Sequence, residues 1–231
     1  MLGNVVRAGV WRRFCLLSAL ASVLFGQSVG ESHGSIYLTE PGGPRRQITS
    51  SGGDFDPSLS PDGKTVVFAR RIPGQACPPE SDCLPATTLW AVNLSEAPLD
   101  PRPVFTGPVR GATGEPTEPT FTHLFLPQLS PDARYLYFLV NYATTSNAIY
   151  RFDLKSKKVD FISPAGSYRI VPSGRCQGYL IASIRKSTLS LRIFHWYWLL
   201  TPEGKEVGLI GPDDMDADSF QDTQDDAPCR T

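Results

Sequence analysis

The sequence has no excess of charge: 22 lysines and arginines stand against 23 aspartates and glutamates, a formal net charge of −1. That leaves no electrostatic case for nucleic acid, which requires a concentrated basic face. Histidine is scarce. His33, His123 and His195 are far apart, and none stands at metal-ligand spacing from another. No cofactor is read from the chain. Helical periodicity is missing after the first 30 residues, which leaves no room for an α/β hydrolase domain. The apolar run Phe14–Phe25 has 12 residues, whereas a membrane-spanning helix needs about 20.

What is present begins with an export signal. Arg7, Arg12 and Arg13 come first with no acid among them; the apolar run follows, and then the small residues Gly26, Ser28 and Gly30. This order is that of a secretory signal peptide over residues 1–30, and it predicts a periplasmic or secreted protein with no transmembrane segment after cleavage. Cleavage removes three arginines and leaves four cysteines. An even count in an exported chain points to disulfides. Cys77 and Cys83 flank a Pro-rich loop, and a local bridge between them is expected. The pairing of Cys176 and Cys229 is left open.

Internal repetition carries the most information. Residues 54–68 read Asp-Phe-Asp-Pro-Ser-Leu-Ser-Pro-Asp-Gly-Lys-Thr-Val-Val-Phe, and residues 127–138 read Pro-Gln-Leu-Ser-Pro-Asp-Ala-Arg-Tyr-Leu-Tyr-Phe. In Ser60-Pro61-Asp62-Gly63, proline sets the first corner of a turn, aspartate suits the second, and glycine takes a positive φ. Ser60 is expected to bond the turn backbone. Ser130, Pro131 and Asp132 repeat this, with Ala133 in the glycine position. β-branched and aromatic residues follow each turn, so each unit is a hairpin. Further strand signals lie at 88–94 and 103–105 after the first unit, and at 148–154 and 158–162 after the second. One repeat is therefore four strands, the content of a propeller blade. A third, worn copy spans 168–210 with Gly178 at its turn. Ser35–Thr39 and Arg46–Thr49 supply the outer two strands of a preceding blade. Two inserts, at 71–87 and 106–120, lengthen the first repeat.

The run from Ile36-Tyr37 through Gln47-Ile48-Thr49 to Asp54-x-x-Pro57-x-Leu59-Ser60-Pro61-Asp62-Gly63 and Phe68 resembles the propeller repeat of TolB and its relatives. The resemblance implies an all-β, radial arrangement of four-stranded blades, here an incomplete β-propeller of about three and a half. Its domain is expected over 31–211, with an acidic disordered tail over 212–231.

Few residues invite a chemical reading. Gly30-Glu31-Ser32-His33-Gly34 fits G-x-S-x-G, but a strand follows it where a helix is required, so it reads as a flexible N-terminus. In the tail, Asp214, Asp216, Asp218, Asp222 and Asp225 fall at positions 1, 3, 5, 9 and 12 of a calcium loop. Ser219 replaces the turn glycine and Asp225 the bidentate glutamate, so the tail reads as solvated acid instead. Asp54, Asp56, Asp62 and Asp132 are assigned to the hairpin turns. The expectation is an exported, non-catalytic module that binds a protein partner, or self-associates, through one face or its open blade edges. A saccharide- or peptide-binding propeller with its site at the two inserts is the alternative. A metal-assisted polysaccharide lyase ranks below both.

Overall fold

The computed structural model describes residues 26–74, 84–111, 120–143, 146–187 and 193–212. Among them every element is a strand, and the strands form successive antiparallel meanders. The opening sheet holds three strands, β1 (Ser28–Ser32), β2 (Ser35–Thr39) and β3 (Arg45–Gln47), in that order. Blade I holds β4 (Asp54–Leu59), β5 (Thr65–Arg71), β6 (Thr87–Asn93) and β7 (Arg102–Phe105). A short ribbon of β8 (Val109–Arg110) and β9 (Thr120–Phe121) follows. Blade II comprises β10 (Leu124–Leu129), β11 (Tyr135–Ala143), β12 (Ser146–Asp153) and β13 (Val159–Pro164). Blade III comprises β14 (Ser167–Ile170), β15 (Leu180–Ser187), β16 (Ile193–Leu200) and β17 (Glu206–Pro212). This is an incomplete β-propeller.

The turn chemistry is the same in blades I and II. The Ser60 hydroxyl donates to Asp62 Oδ1 at 2.6 Å and accepts from the Thr65 amide at 2.9 Å, while Asp62 Oδ1 also accepts from the Lys64 amide. Ser130, Asp132, Arg134 and Tyr135 repeat these bonds. Gly63 has φ +70° and Ala133 +54°, so alanine occupies the left-handed conformation that glycine takes without strain. Register follows the turns. Asp54 pairs with Arg70 and Leu59 with Val66; Leu124 pairs with Val140 and Leu129 with Leu136, each 70 residues on.

Alternation along the strands gives each sheet two apolar faces, and neighbouring sheets close over them. Ile36, Leu38 and Ile48 of the opening sheet meet Val66, Phe68 and Val92 of blade I. Val67, Ala69 and Leu89 of blade I meet Leu136, Phe138 and Tyr150 of blade II. Leu139 and Ile149 of blade II meet Tyr168, Leu180 and Ala182 of blade III. The far face of blade III is apolar too, with Val171, Cys176, Ile181 and Leu199 buried and Tyr179 and Tyr197 beside them. Cys176 is not a free thiol. The outward face of the opening sheet is instead polar: Tyr37 there carries the Arg45 guanidinium at 3.9 Å from its ring centre.

The beginning of the chain departs from expectation. Gly30-Glu31-Ser32-His33-Gly34 is a tight hairpin rather than a flexible terminus. Ser32 pairs with Ser35, and His33 and Gly34 both take positive φ, 52° and 69°, as two-residue hairpin loops favour. A Cβ on Gly34 would collide with the Gly52 carbonyl. Residues 28–30, expected to belong to the signal peptide, lie in β1. The opening sheet therefore shows three strands rather than two. Cys77, Cys83, Cys229 and the aspartates 214–225 lie outside the described residues.

Candidate functional site

The strand ends define two faces. The face of the β4–β5 and β10–β11 turns also carries the β14–β15 and β16–β17 connections. There, between blades II and III, lies a cleft of about 410 Å³. Its walls include Asp132, Tyr135, Tyr137, Gln177 and Glu203. Each wall is fixed by its own bonds. Asp132 is held by the turn, and the Ser130 hydroxyl keeps its carboxyl below the ordinary range. The Tyr137 hydroxyl donates to the Pro202 carbonyl at 3.2 Å, and burial raises its pKa. Behind the cleft Arg151 donates to that same carbonyl and to Asp160, lies 3.6 Å from Glu203, and stacks 4.5 Å from the Tyr135 ring centre. Glu203 itself is 69% exposed. The cleft thus presents two carboxylates and a pair of tilted tyrosine rings on a rigid frame.

Towards the hub, the structure corrects the roles of two aspartates. Asp54 does not serve the turn: it is wholly buried and paired with Arg70 in the middle of blade I. Asp56 does not serve the turn either. It sits with φ +49° in a β-bulge of β4, and its carboxylate accepts from the Leu126 amide of β10 at 3.2 Å. Leu126 occupies the matching bulge of blade II, also with φ +49°. Its carbonyl accepts from the Tyr168 hydroxyl of blade III at 2.8 Å. The three inner strands are stitched in series. Burial raises the pKa of Asp56, and the charge of Glu31 adds to the effect. Burial also raises that of Tyr168. The reason sequence reading misassigned these aspartates is physical: a bulge that reaches the next blade leaves no local signature.

The opposite face carries the ends of both inserts. A smaller hollow of about 200 Å³ forms there from Leu84, Thr120, Phe121, Thr122, His123 and Asn141. His123 Nδ1 lies 2.8 Å from the Pro85 carbonyl, and its ring lies between Phe55 and Phe125, 6.3 and 5.3 Å away by ring centres. Among the described residues no group of three or more potential metal ligands forms. His123 was not singled out by the sequence, because a lone histidine between strands carries no spacing signal.

Sheets of four antiparallel strands, repeated around a stitched hub, define the propeller class. The chain matches no family model and no curated protein. It is similar to several solved propellers. One is the β-propeller domain of the Trilobed protease from Pyrococcus furiosus (14% identity, TM-score 0.47, 76% of this chain and 48% of that one). Another is TolB from Acinetobacter baumannii (14% identity, TM-score 0.35, 74% and 47%). A third is a gluconolactonase from Xanthomonas campestris (15% identity, TM-score 0.46, 81% and 58%). The chain spans about half the length of the first two structures.

Proposed function

We propose that this chain is an exported, non-catalytic binding module whose partner is a protein seated in the cleft between blades II and III. The cleft itself carries the reading: the Ser130 and Tyr137 hydroxyls and the Asp132 carboxylate are spent on holding two turns, and the exposed Glu203, anchored by Arg151, and the Tyr135 edge are left to meet a partner. Such a surface suits recognition because little of it must be ordered on binding. The exposed carboxylate of Glu203 favours a partner that brings basic side chains. Export is supported by the order of charge, apolar run and small residues at the start of the chain.

A photo-crosslinking residue placed at position 203, with a control at position 45 on the polar face of the opening sheet, tests the binding. A discrete adduct from 203 alone supports the cleft. Equal labelling at both positions, or none at either, defeats it. N-terminal sequencing of protein recovered from outside the cytoplasm tests export, and recovery only from the cytoplasm would overturn it.

A further inference from the structure

We infer that the hollow around His123 is a second binding site, on the face opposite the cleft, and that it takes a single uncharged, hydroxyl-rich ring such as a neutral sugar residue. This goes beyond the protein-binding reading and does not rest on it.

Four observations converge. First, the hollow is lined by Thr120, Phe121, Thr122, His123, Asn141 and Leu84, and none of these carries a fixed charge. Among these described residues a charged ligand finds no counter-ion, whereas the cleft on the other face offers two carboxylates. Second, its polar groups are unspent. The hydroxyls of Thr120 and Thr122 and the amide of Asn141 make no hydrogen bond to another described residue, while the neighbouring Thr87 is committed to both the amide and the carbonyl of Leu124. Three free groups that can each donate and accept match sugar hydroxyls, which do the same.

Third, the imidazole is set in place. The carbonyl of Pro85 can only accept, so Nδ1 carries the proton in that bond, and in the neutral ring Nε2 is left as an acceptor. The flanking rings of Phe55 and Phe125 hold the imidazole plane. A hydroxyl donor on the ligand completes it. Fourth, the size is small. About 200 Å³ falls below the roughly 300–1,000 Å³ of drug-sized sites, which allows one ring and not a chain of them. Phe121 and Leu84 offer apolar surface against which the C–H face of such a ring can lie.

The test titrates the full chain with N-acetylglucosamine and methyl β-D-glucopyranoside, followed by saturation-transfer NMR and calorimetry, with glucuronate as the charged comparison. The expected result is weak saturable binding of at least one neutral probe, weaker or absent for glucuronate. Removing one positioned partner from a ligand hydroxyl is expected to cost about tenfold in affinity in His123→Ala and in Asn141→Ala. Because His123 lies between two rings, its variant is checked by melting temperature; Asn141→Ala and Thr122→Val carry the test if it unfolds. No binding of either neutral probe at the highest attainable concentration overturns the inference. So does binding that is unchanged in Asn141→Ala and Thr122→Val, or glucuronate bound more tightly than both neutral probes.

Discussion

Asp54 and Arg70 meet through two hydrogen bonds, 2.5 and 2.9 Å long, from the guanidinium Nε and Nη2 to the two carboxylate oxygens. The carboxylate is wholly buried, and the guanidinium stacks 4.0 Å from the Trp90 ring centre. At the matching register of blade II the pair is Leu124 and Val140, both wholly buried. The same position in the same meander thus accepts an ion pair or two aliphatic side chains.

That equivalence sets the first prediction. Asp54→Ala leaves the partly buried Arg70 guanidinium without its partner and is expected to cost about 3 kcal/mol, the lower end for a broken buried pair. The double change Asp54→Leu with Arg70→Val copies blade II and is expected to recover most of that loss. Denaturant midpoints of the wild type, the single and the double variant decide it; a double variant as unstable as the single one would refute the equivalence.

The turns give the second. Ala133 has φ +54° where Gly63 has φ +70°. Ala133→Gly relieves left-handed strain of about 1–2 kcal/mol, less the entropy glycine adds to the unfolded chain, so a net gain of about 0.5–1 kcal/mol is expected. Gly63→Ala reverses the sign, and its Cβ would lie 3.1 Å from Gln27 Oε1. Thermal unfolding of both variants reads the two signs directly.

Two aspartates bend the pH dependence in opposite directions. The Asp153 carboxyl is lowered to about 2, chiefly by the Ser156 amide. A depressed folded pKa gives stability that is present above the unfolded value near 3.9 and lost as pH falls towards 2. Asp56 is raised by burial. Its contribution is greatest below the unfolded value and fades as pH rises through the folded one. Asp56→Asn keeps an oxygen for the Leu126 amide and tolerates positive φ. It is therefore expected to stabilise at pH 7 and to lose the advantage near pH 3. A gain that is flat across this range would assign it to backbone preference alone.

The aromatic strand β16 supplies the fourth. Trp198 packs between blades II and III, yet its Nε1 is buried without an acceptor. Trp198→Phe removes that orphan donor and is expected to change stability by less than about 1 kcal/mol, while Trp198→Asp buries a charge and lowers solubility. Phe194, 37% exposed on the same side of the strand, is expected to accept aspartate within about 0.5 kcal/mol. Equal damage from Trp198→Asp and Phe194→Asp would show that the exposed half of the strand is covered in solution.

The hairpins were legible because their chemistry is local: serine, proline, aspartate and glycine act within a few residues of one another. The four-strand content of each blade was legible from alternation and aromatic strand ends. β1 was not, since Ser-Val-Gly-Glu-Ser shows neither alternation nor bulk, and only pairing with β2 makes it a strand. The Asp56–Leu126–Tyr168 series escaped for the opposite reason. Its partners lie 70 and 42 residues apart, so nothing in one repeat announces them. The cleft and the hollow belong to the same class: each is made where chain segments distant in sequence arrive together.

The polar face of the opening sheet gives the stack a direction. With Arg45 laid over Tyr37, that face is finished against water, whereas the far face of the last sheet is apolar, with Ile181 and Leu199 buried and Tyr179 and Tyr197 beside them. Blades of this pattern are tiles with unlike sides. A designer wishing to lengthen the array would have to uncover the apolar far face of blade III to seat a further tile, and would find a polar surface to work against ahead of β1.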